Sequence, residues 1–128
     1  PTFDRGVLFA RALADGGQVD LALDVLEALV EEKPLLVQAH VLRTLLAVDS
    51  QRTELAAACA RQAAFLAHDQ PMVSWICSVA FEAAGQARRA RAAKNHTIKL
   101  LRGRPSQEVL LYADGLTTGQ LRIVLNGR

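Results

Sequence analysis

Residues 15–22 read DGGQVDLA, and 34 positions later residues 49–56 read DSQRTELA. The same step leads to AAGQARRA at residues 83–90 and to GQLR at residues 119–122. Each of the first three copies follows an apolar segment with helical spacing and precedes a second one. A turn that recurs at a fixed interval is typical of stacked helical hairpins, which form an open array rather than one closed core.

The composition fits a helical protein of ordinary charge. Of the 128 residues, 51% are hydrophobic and only 5% are aromatic, and the formal net charge is +2. So small an excess of positive charge does not indicate nucleic-acid binding. The charges are unevenly spread, however, because residues 1–33 are rich in acids and residues 83–107 carry basic side chains and no acid. The chain is therefore electrically bipolar along its length.

The two cysteines indicate a reducing environment. Cys59 and Cys77 lie in apolar helical segments and belong to no C-x-x-C motif. Cysteine in this context behaves as a small hydrophobic residue, so we expect buried free thiols and a cytoplasmic location, with a disulfide as the alternative. The sequence shows no secretory signal and no run of about 18 apolar residues, so membrane insertion is not predicted.

Apolar periodicity predicts six helices before residue 104. The clearest is 19–33, which has leucine and valine on one face and acids on the other. Pro34 ends it, and Pro71 opens a later helix at a position that proline favours. The other predicted helices cover residues 4–14, 37–48, 52–67 and 87–101. The apolar stripe of the first helix consists of Leu8, Phe9, Ala12 and Leu13.

The C-terminal segment allows two interpretations. Residues 107–113 fit the first helix of a degraded fourth unit, with a short second helix at 121–126. A capping box at 117–120 would begin that short helix. Alternatively, the segment 109–125 reads as two strands around a loop that contains glycine. The register with the repeats favours the helical interpretation.

The repeated unit resembles the tetratricopeptide repeat family, whose 34-residue units are helix-turn-helix hairpins. The likeness is carried by small residues, turn glycines and two larger partners, namely Ala10, Leu13, Gly17, Ala22, Thr44, Ala56, Ser78, Phe81, Gly85 and Ala90. Gln51 departs from the pattern at a turn. The resemblance implies an all-α fold, a right-handed α-α superhelix of three hairpins (3–36, 37–70 and 71–104). A C-terminal capping element or degenerate fourth repeat would follow at 105–128.

The resemblance also implies a function. In this family the first helices of the units line a concave groove that receives an extended or helical segment of a partner protein. The groove residues would be Val7, Arg11, Ala14, Gln38, Val41, Leu45, Val48, Met72, Trp75, Val79 and Glu82. We therefore expect a non-catalytic protein-protein interaction module. The short chain, rich in alanine and arginine, is similar to small bacterial repeat chaperones and adaptors, including those that hold type III secretion subunits. The alternative for the groove residues is packing against a capping element, such as the chain's own tail.

The basic segment also has more than one interpretation. Its candidate partner-binding face consists of Arg88, Arg91, Lys99 and Arg102, which share one side of a helix. This face is either a solvated outer surface or a site for an acidic protein. Since Arg88 is the repeat equivalent of Asp20, acidic and basic ends of two copies would also attract. A self-assembling homo-oligomeric scaffold, or a fragment of a larger repeat protein, is therefore the alternative function. No nucleic-acid partner is expected, because the segment lacks interleaved aromatic side chains.

No catalytic or metal site is predicted. The steps from His40 to His68 and from His68 to His96 are equal, but they are shorter than the period of the repeat. We therefore expect the three side chains to point in different directions and not to share a metal ion. No Ser-His-Asp arrangement, phosphate-binding glycine loop or paired carboxylate site can be assembled. The sequence predicts no enzyme activity and no cofactor.

Overall fold

The computed structural model describes residues 4–127, and this part of the chain is all-α. It contains seven helices and no β-strand within that range. Their bounds are α1 Arg5–Asp15, α2 Val19–Glu32, α3 Val37–Asp49, α4 Thr53–Ala67, α5 Pro71–Ala83, α6 Ala87–Leu101 and α7 Thr118–Asn126. The predicted units begin at residue 3 and end at residue 128, and these two positions lie outside the described residues.

The first six helices form three hairpins that are closed by the same turn. Gly17, Gln51 and Gly85 occupy the same place in successive hairpins and adopt positive φ angles of 86°, 63° and 75°. The residue after each donates its backbone N–H to the carbonyl oxygen five positions back, namely Gln18 to Leu13 (2.8 Å), Arg52 to Ala47 (2.8 Å) and Gln86 to Phe81 (2.9 Å). This left-handed position favours glycine, which has no Cβ, and glycine fills it in two of the three turns.

Contacts between helices follow the order of the chain. Every consecutive pair from α1 to α6 packs together, and α3 also contacts α1 and α5. In the described part of the chain, α1 and α2 contact no helix beyond α3, while α7 packs on α6. The first helices of the three hairpins therefore lie side by side. Each second helix packs against first helices and not against another second helix.

Two apolar clusters form the core, and α3 belongs to both. The first lies between the α1–α2 hairpin and α3; its buried members are Val7, Ala10, Ala22, Leu23, Leu26, Leu29, Ala39, Leu42 and Leu46. The second extends from Val41 and Ala47 through α4, α5 and α6 to the C-terminal segment. In α4 the buried side chains are almost all alanine, which lets that helix approach α3 and α5 closely.

The C-terminal segment differs from the favoured prediction. Residues 107–113 do not form a helix, and the two-strand alternative is reduced to one isolated bridge between Val109 and Thr117. The short helix α7 is present, and its capping box is confirmed. The Thr117 hydroxyl accepts from the Gln120 N–H at 3.2 Å, and the Gln120 side chain accepts from the Thr117 N–H at 2.9 Å.

The predicted apolar stripe of α1 is also partly wrong. Leu13 packs against the first cluster, but Leu8, Phe9 and Ala12 are exposed. The inward face of α1 is formed by Val7 and Ala10 instead. Apolar residues lie on both the buried and the exposed side of α1, so their spacing alone does not identify which side is buried.

Candidate protein-binding surface

The predicted groove residues lie on α1, α3 and α5, at matching positions of the three helices. Their burial varies. Val7, Val41 and Met72 are buried, Glu82 is exposed, and the half-buried members are Arg11, Ala14, Gln38, Leu45, Val48, Trp75 and Val79. They share a face because equivalent residues occupy the same place in successive hairpins, as Arg11, Leu45 and Val79 do. We call this surface the first-helix face.

The C-terminal loop reaches this face. After α6 the chain crosses back toward the first hairpin, and the guanidinium of Arg11 pairs with the carboxylate of Asp114 at 2.7 Å. Leu110 and Ala113 of the loop are buried in the same apolar cluster as Val41 and Met72. The loop of residues 105–117 therefore lies over part of the first-helix face. This is the arrangement expected from the alternative interpretation, in which the groove residues pack against the chain's own tail.

The loop has an irregular backbone that is held by several hydrogen bonds. Its ends are joined by Leu110 N–H to Leu116 O at 2.9 Å and by Thr118 N–H to Glu108 O at 2.9 Å. At its tip Tyr112, Asp114 and Gly115 all have positive φ, at 63°, 50° and 89°. Two non-glycine residues in this region are unfavourable locally. The burial of Leu110 and Ala113 compensates for this cost and explains why a helix does not form here.

α7 fastens the loop to the third hairpin. Leu121 is fully buried and Leu125 is nearly so. The Arg122 guanidinium donates to the carbonyl oxygens of Leu101, at 2.8 Å, and Arg104, at 2.9 Å. Leu101 is the last residue of α6, where carbonyl groups lack partners within the helix and where a cation is favourable, and Arg104 lies in the segment that follows.

The predicted basic face lies on the outer side of α6. Arg88, Arg91, Lys99 and Arg102 are all exposed, and none of the four forms an ion pair with another described residue. The acids of α2 are likewise exposed, and Asp20 pairs with Arg52 at the start of α4. The two charged faces lie on different helices of different hairpins, and the structure does not bring them together.

Two grooves between second helices were not predicted from the sequence. The larger, of about 710 Å³, lies between α2 and α4, with His40 and Arg43 of α3 among its lining residues and with exposed Leu35 and Phe65 at its edge. The smaller, of about 320 Å³, lies between α4 and α6. Most of its lining residues are the repeat equivalents of those of the larger groove. The repeat period predicts these grooves when it is applied to the second helices as well as to the first-helix face.

The histidines depart from prediction in one respect. His68 and His96, expected to point apart, stack with ring centroids 6.1 Å apart, and His96 Nε2 lies 2.9 Å from the His68 carbonyl oxygen. The offset between neighbouring second helices brings these positions together although they are not repeat equivalents. His40 is buried elsewhere, with Nε2 at 2.9 Å from the Pro34 carbonyl oxygen. Between residues 4 and 127 no group of three or more potential ligands could hold a metal ion.

The cysteines are buried free thiols, as predicted. Burial raises the pKa of Cys59, with a smaller opposite effect of Arg43, and raises the pKa of Cys77 to about 11. The Cys77 thiol also donates to the Ala60 carbonyl oxygen at 3.2 Å. Since the thiolate is the nucleophilic form, neither side chain is suited to attack a substrate at neutral pH.

None of the seven helices of residues 4–127 combines the length and apolar character that crossing a membrane requires. Neither a model of a known protein family nor a curated protein matches the sequence. The first-helix face is therefore interpreted from its own geometry.

Proposed function

We propose that this chain is a non-catalytic protein-binding module in which three hairpins of the tetratricopeptide type form a right-handed superhelix. Its first-helix face would receive an extended segment of a partner protein. The turn that recurs once in each hairpin and the side-by-side packing of α1, α3 and α5 support this architecture. A chaperone or adaptor, which holds a client without changing it chemically, is the kind of protein that such a surface serves.

The observation that carries the proposal is the loop that already lies on this face. Residues 108–117 form a non-helical segment that buries Leu110 and Ala113 and presents Asp114 to Arg11. A surface that accepts this segment within the chain has the size, apolar character and charge to accept a similar one from another protein. We therefore expect partner segments that combine a leucine-sized anchor with an acidic residue.

The energetics permit exchange between the loop and a partner. Burial of one leucine side chain stabilises by roughly 1.5–3 kcal/mol, and an exposed ion pair adds little. The loop offers one large buried side chain, Leu110, beside the half-buried Tyr112 and Leu116. A partner with two or three apolar anchors would therefore compete with it, because it gains more burial than the loop loses.

Selection of short random peptides on the full-length chain tests the proposal. We expect the selected peptides to be apolar and acidic, and their binding to change the fluorescence of Trp75, the only tryptophan. Trp75→Ala and Leu45→Glu should each abolish capture while helical content by circular dichroism is retained. Arg11→Glu should weaken acidic peptides selectively.

A matched control is Arg91→Glu, which changes an exposed charge on the outer side of α6, away from the first-helix face. Peptides that bind through the first-helix face should tolerate this change. Peptides that survive Leu45→Glu and Trp75→Ala but are lost with Arg91→Glu would refute the proposal and place binding on the basic face of α6.

A further inference from the structure

The outer side of α1 is an apolar face that nothing covers in the described part of the chain. It consists of Arg5, Leu8, Phe9, Ala12 and Asp15, all of them exposed. Leu8 is 46% exposed and Phe9 is 56% exposed. Their spacing places all five on one side of the helix. This side is distinct from the first-helix face, to which α1 contributes Val7, Arg11 and Ala14.

The same positions are buried in the other hairpins. The equivalents are Leu42 and Ile76 for Leu8, and Leu46 and Ala80 for Ala12, and all four are less than one-tenth exposed. Leu42 and Leu46 share an apolar cluster with α1 and α2, so the element that covers them is a neighbouring helical hairpin. The outer face of α1 therefore has apolar residues at the positions that pack against a neighbouring helix in the other hairpins. In the described part of the chain no helix covers it. Arrays of this kind normally present a polar surface at a free end.

The exposed stripe of α1 is complementary to itself. Two α1 helices can pack antiparallel about a two-fold axis that crosses them at the level of residue 10. Leu8 of one copy then lies opposite Ala12 of the other. The same axis places Arg5 opposite Asp15. Large side chains then meet small ones and positive charges meet negative ones, in both halves of the contact.

The charges of α1 favour such a neighbour. Arg5 stands in the first turn and Asp15 at the last residue, which is the reverse of what the dipole of the helix itself favours. Neither side chain takes part in an ion pair or side-chain hydrogen bond with residues 4–127. An antiparallel copy brings Arg5 next to the C-terminal end of the partner helix and Asp15 next to its N-terminal end.

We propose that this chain forms a symmetric dimer in which the outer faces of two α1 helices pack antiparallel, with Leu8 against Ala12 and Arg5 against Asp15. The contact is centred on apolar side chains, and the exposed Phe9 enlarges its apolar area. It uses no residue of the first-helix face in either copy. The dimer therefore does not depend on the binding function proposed above.

Sedimentation of the full chain over a range of concentrations tests the dimer. We expect a dimer that persists at high salt. Leu8→Glu should weaken self-association by about 100-fold or more, because the contact loses two leucine side chains and would desolvate two carboxylates. The matched control Ile123→Glu, at the exposed outer side of α7, should leave the dimer intact. A monomer at every concentration, or larger species that dissolve as salt is added, would overturn the proposal.

Two further sets of variants test the antiparallel register. Arg5→Asp and Asp15→Arg should each weaken the dimer, and the double variant should restore it, because each change reverses one sign of the same pair. Leu8→Cys mixed with Ala12→Cys should form a disulfide between copies more readily than either variant alone, while Cys59 and Cys77 stay buried. Failure of the double variant to restore association, or equal cross-linking in all mixtures, contradicts this register.

Discussion

The two ends of the helix stack differ, because the described residues cover one of them and leave the other exposed. At the C-terminal end α7 packs on α6, buries Leu121 fully and caps the carbonyl group of Leu101, the last residue of α6, through Arg122. At the N-terminal end Leu8 and Phe9 remain exposed, although their equivalents in the third hairpin, Ile76 and Cys77, are nearly inaccessible. A repeat determines what is buried between its copies but not what closes its ends. Each end therefore needs its own covering element, and the described residues supply one only at the C-terminal end.

The largest expected effect breaks the closed end. Leu121→Ala removes a fully buried side chain and leaves a cavity between α7 and the stack, which should cost about 2–5 kcal/mol in the free energy of unfolding. Urea unfolding followed by circular dichroism measures this loss. Because α7 holds the loop in place, we also expect a change in the fluorescence of Trp75, which packs against the same cluster.

Ile123→Ala is the matched control for the closed end. Ile123 lies two residues from Leu121 on the same helix but is 71% exposed, so its truncation should change stability by no more than about 0.5 kcal/mol. Equal losses for the two variants would show that α7 does not close the stack.

The two ends can also be compared through the equivalent turns of the first and third hairpins. A Cβ added at Gly17 or at Gly85 meets no atom within 4 Å, so alanine at either position introduces only the strain of a positive φ. Each substitution should cost about 0.5–1 kcal/mol net, because alanine has less chain entropy than glycine in the unfolded state and this offsets part of the strain. We expect Gly85→Ala to lower the global free energy of unfolding. Gly17→Ala should mainly ease the local opening of α1 and α2, whose cluster is separate.

Amide hydrogen exchange resolves the two cases, because it reports opening residue by residue. Gln51→Gly provides the converse control: it relieves the strain of a positive φ but adds chain entropy in the unfolded state, for a net gain of about 0.5–1 kcal/mol. Uniform effects of Gly17→Ala and Gly85→Ala on all amides would mean that the two ends unfold together.

The difference between the ends also explains what could be predicted from the sequence. The helices and turns of the three hairpins follow from local signals, since glycine, proline and apolar spacing act within a few residues. The α7 capping box, Thr117 with Gln120, is local in the same sense. The helix expected at 107–113 was wrong because burial of Leu110 and Ala113 against distant helices overrides the local preference. His68 and His96 meet through the offset of neighbouring hairpins, which a linear period does not encode.

The candidate surface was predictable in the same unequal way. Positions one repeat apart share a face in any regular stack, so the members of the first-helix face could be named in advance. That the loop would cover part of it could not, because the Arg11–Asp114 pair joins residues 103 positions apart in the chain. Contacts of this range are set by the assembled fold.

A smaller effect is expected for that ion pair, which ties the closed end to the open one. Arg11 and Asp114 are 42% and 71% exposed, so a double-mutant cycle with Arg11→Ala and Asp114→Ala should give a coupling of about 0.2–1 kcal/mol. The coupling should shrink as salt is added. A coupling that is absent at low salt would mean that the loop is held by Leu110 and Ala113 alone.

The smallest effect concerns the start of α1, at the open end. The Asp4 carboxylate accepts from the Gly6 N–H at 2.7 Å and from the Lys33 ammonium at 2.7 Å, so it caps α1 and ties it to the end of α2. The hydrogen bond from Lys33 is the largest cause that lowers the pKa of Asp4, and the same bond raises the pKa of Lys33. The ion pair therefore stabilises the fold above pH 3.8, the ordinary pKa of aspartate, and below pH 10.5, that of lysine.

Asp4→Asn separates the cap from the charge, because asparagine caps helices as well as aspartate does. We expect the variant to lose the part of the acid-induced decrease in melting temperature that occurs as the pH falls below 3.8, where protonation of the carboxyl breaks the ion pair. Near neutral pH it should melt slightly below the parent. Asp4→Ala removes both functions and should melt lower still. If the melting temperature of Asp4→Asn falls at acid pH by as much as that of the parent, the ion pair contributes nothing to the open end, which is then held by the cap alone.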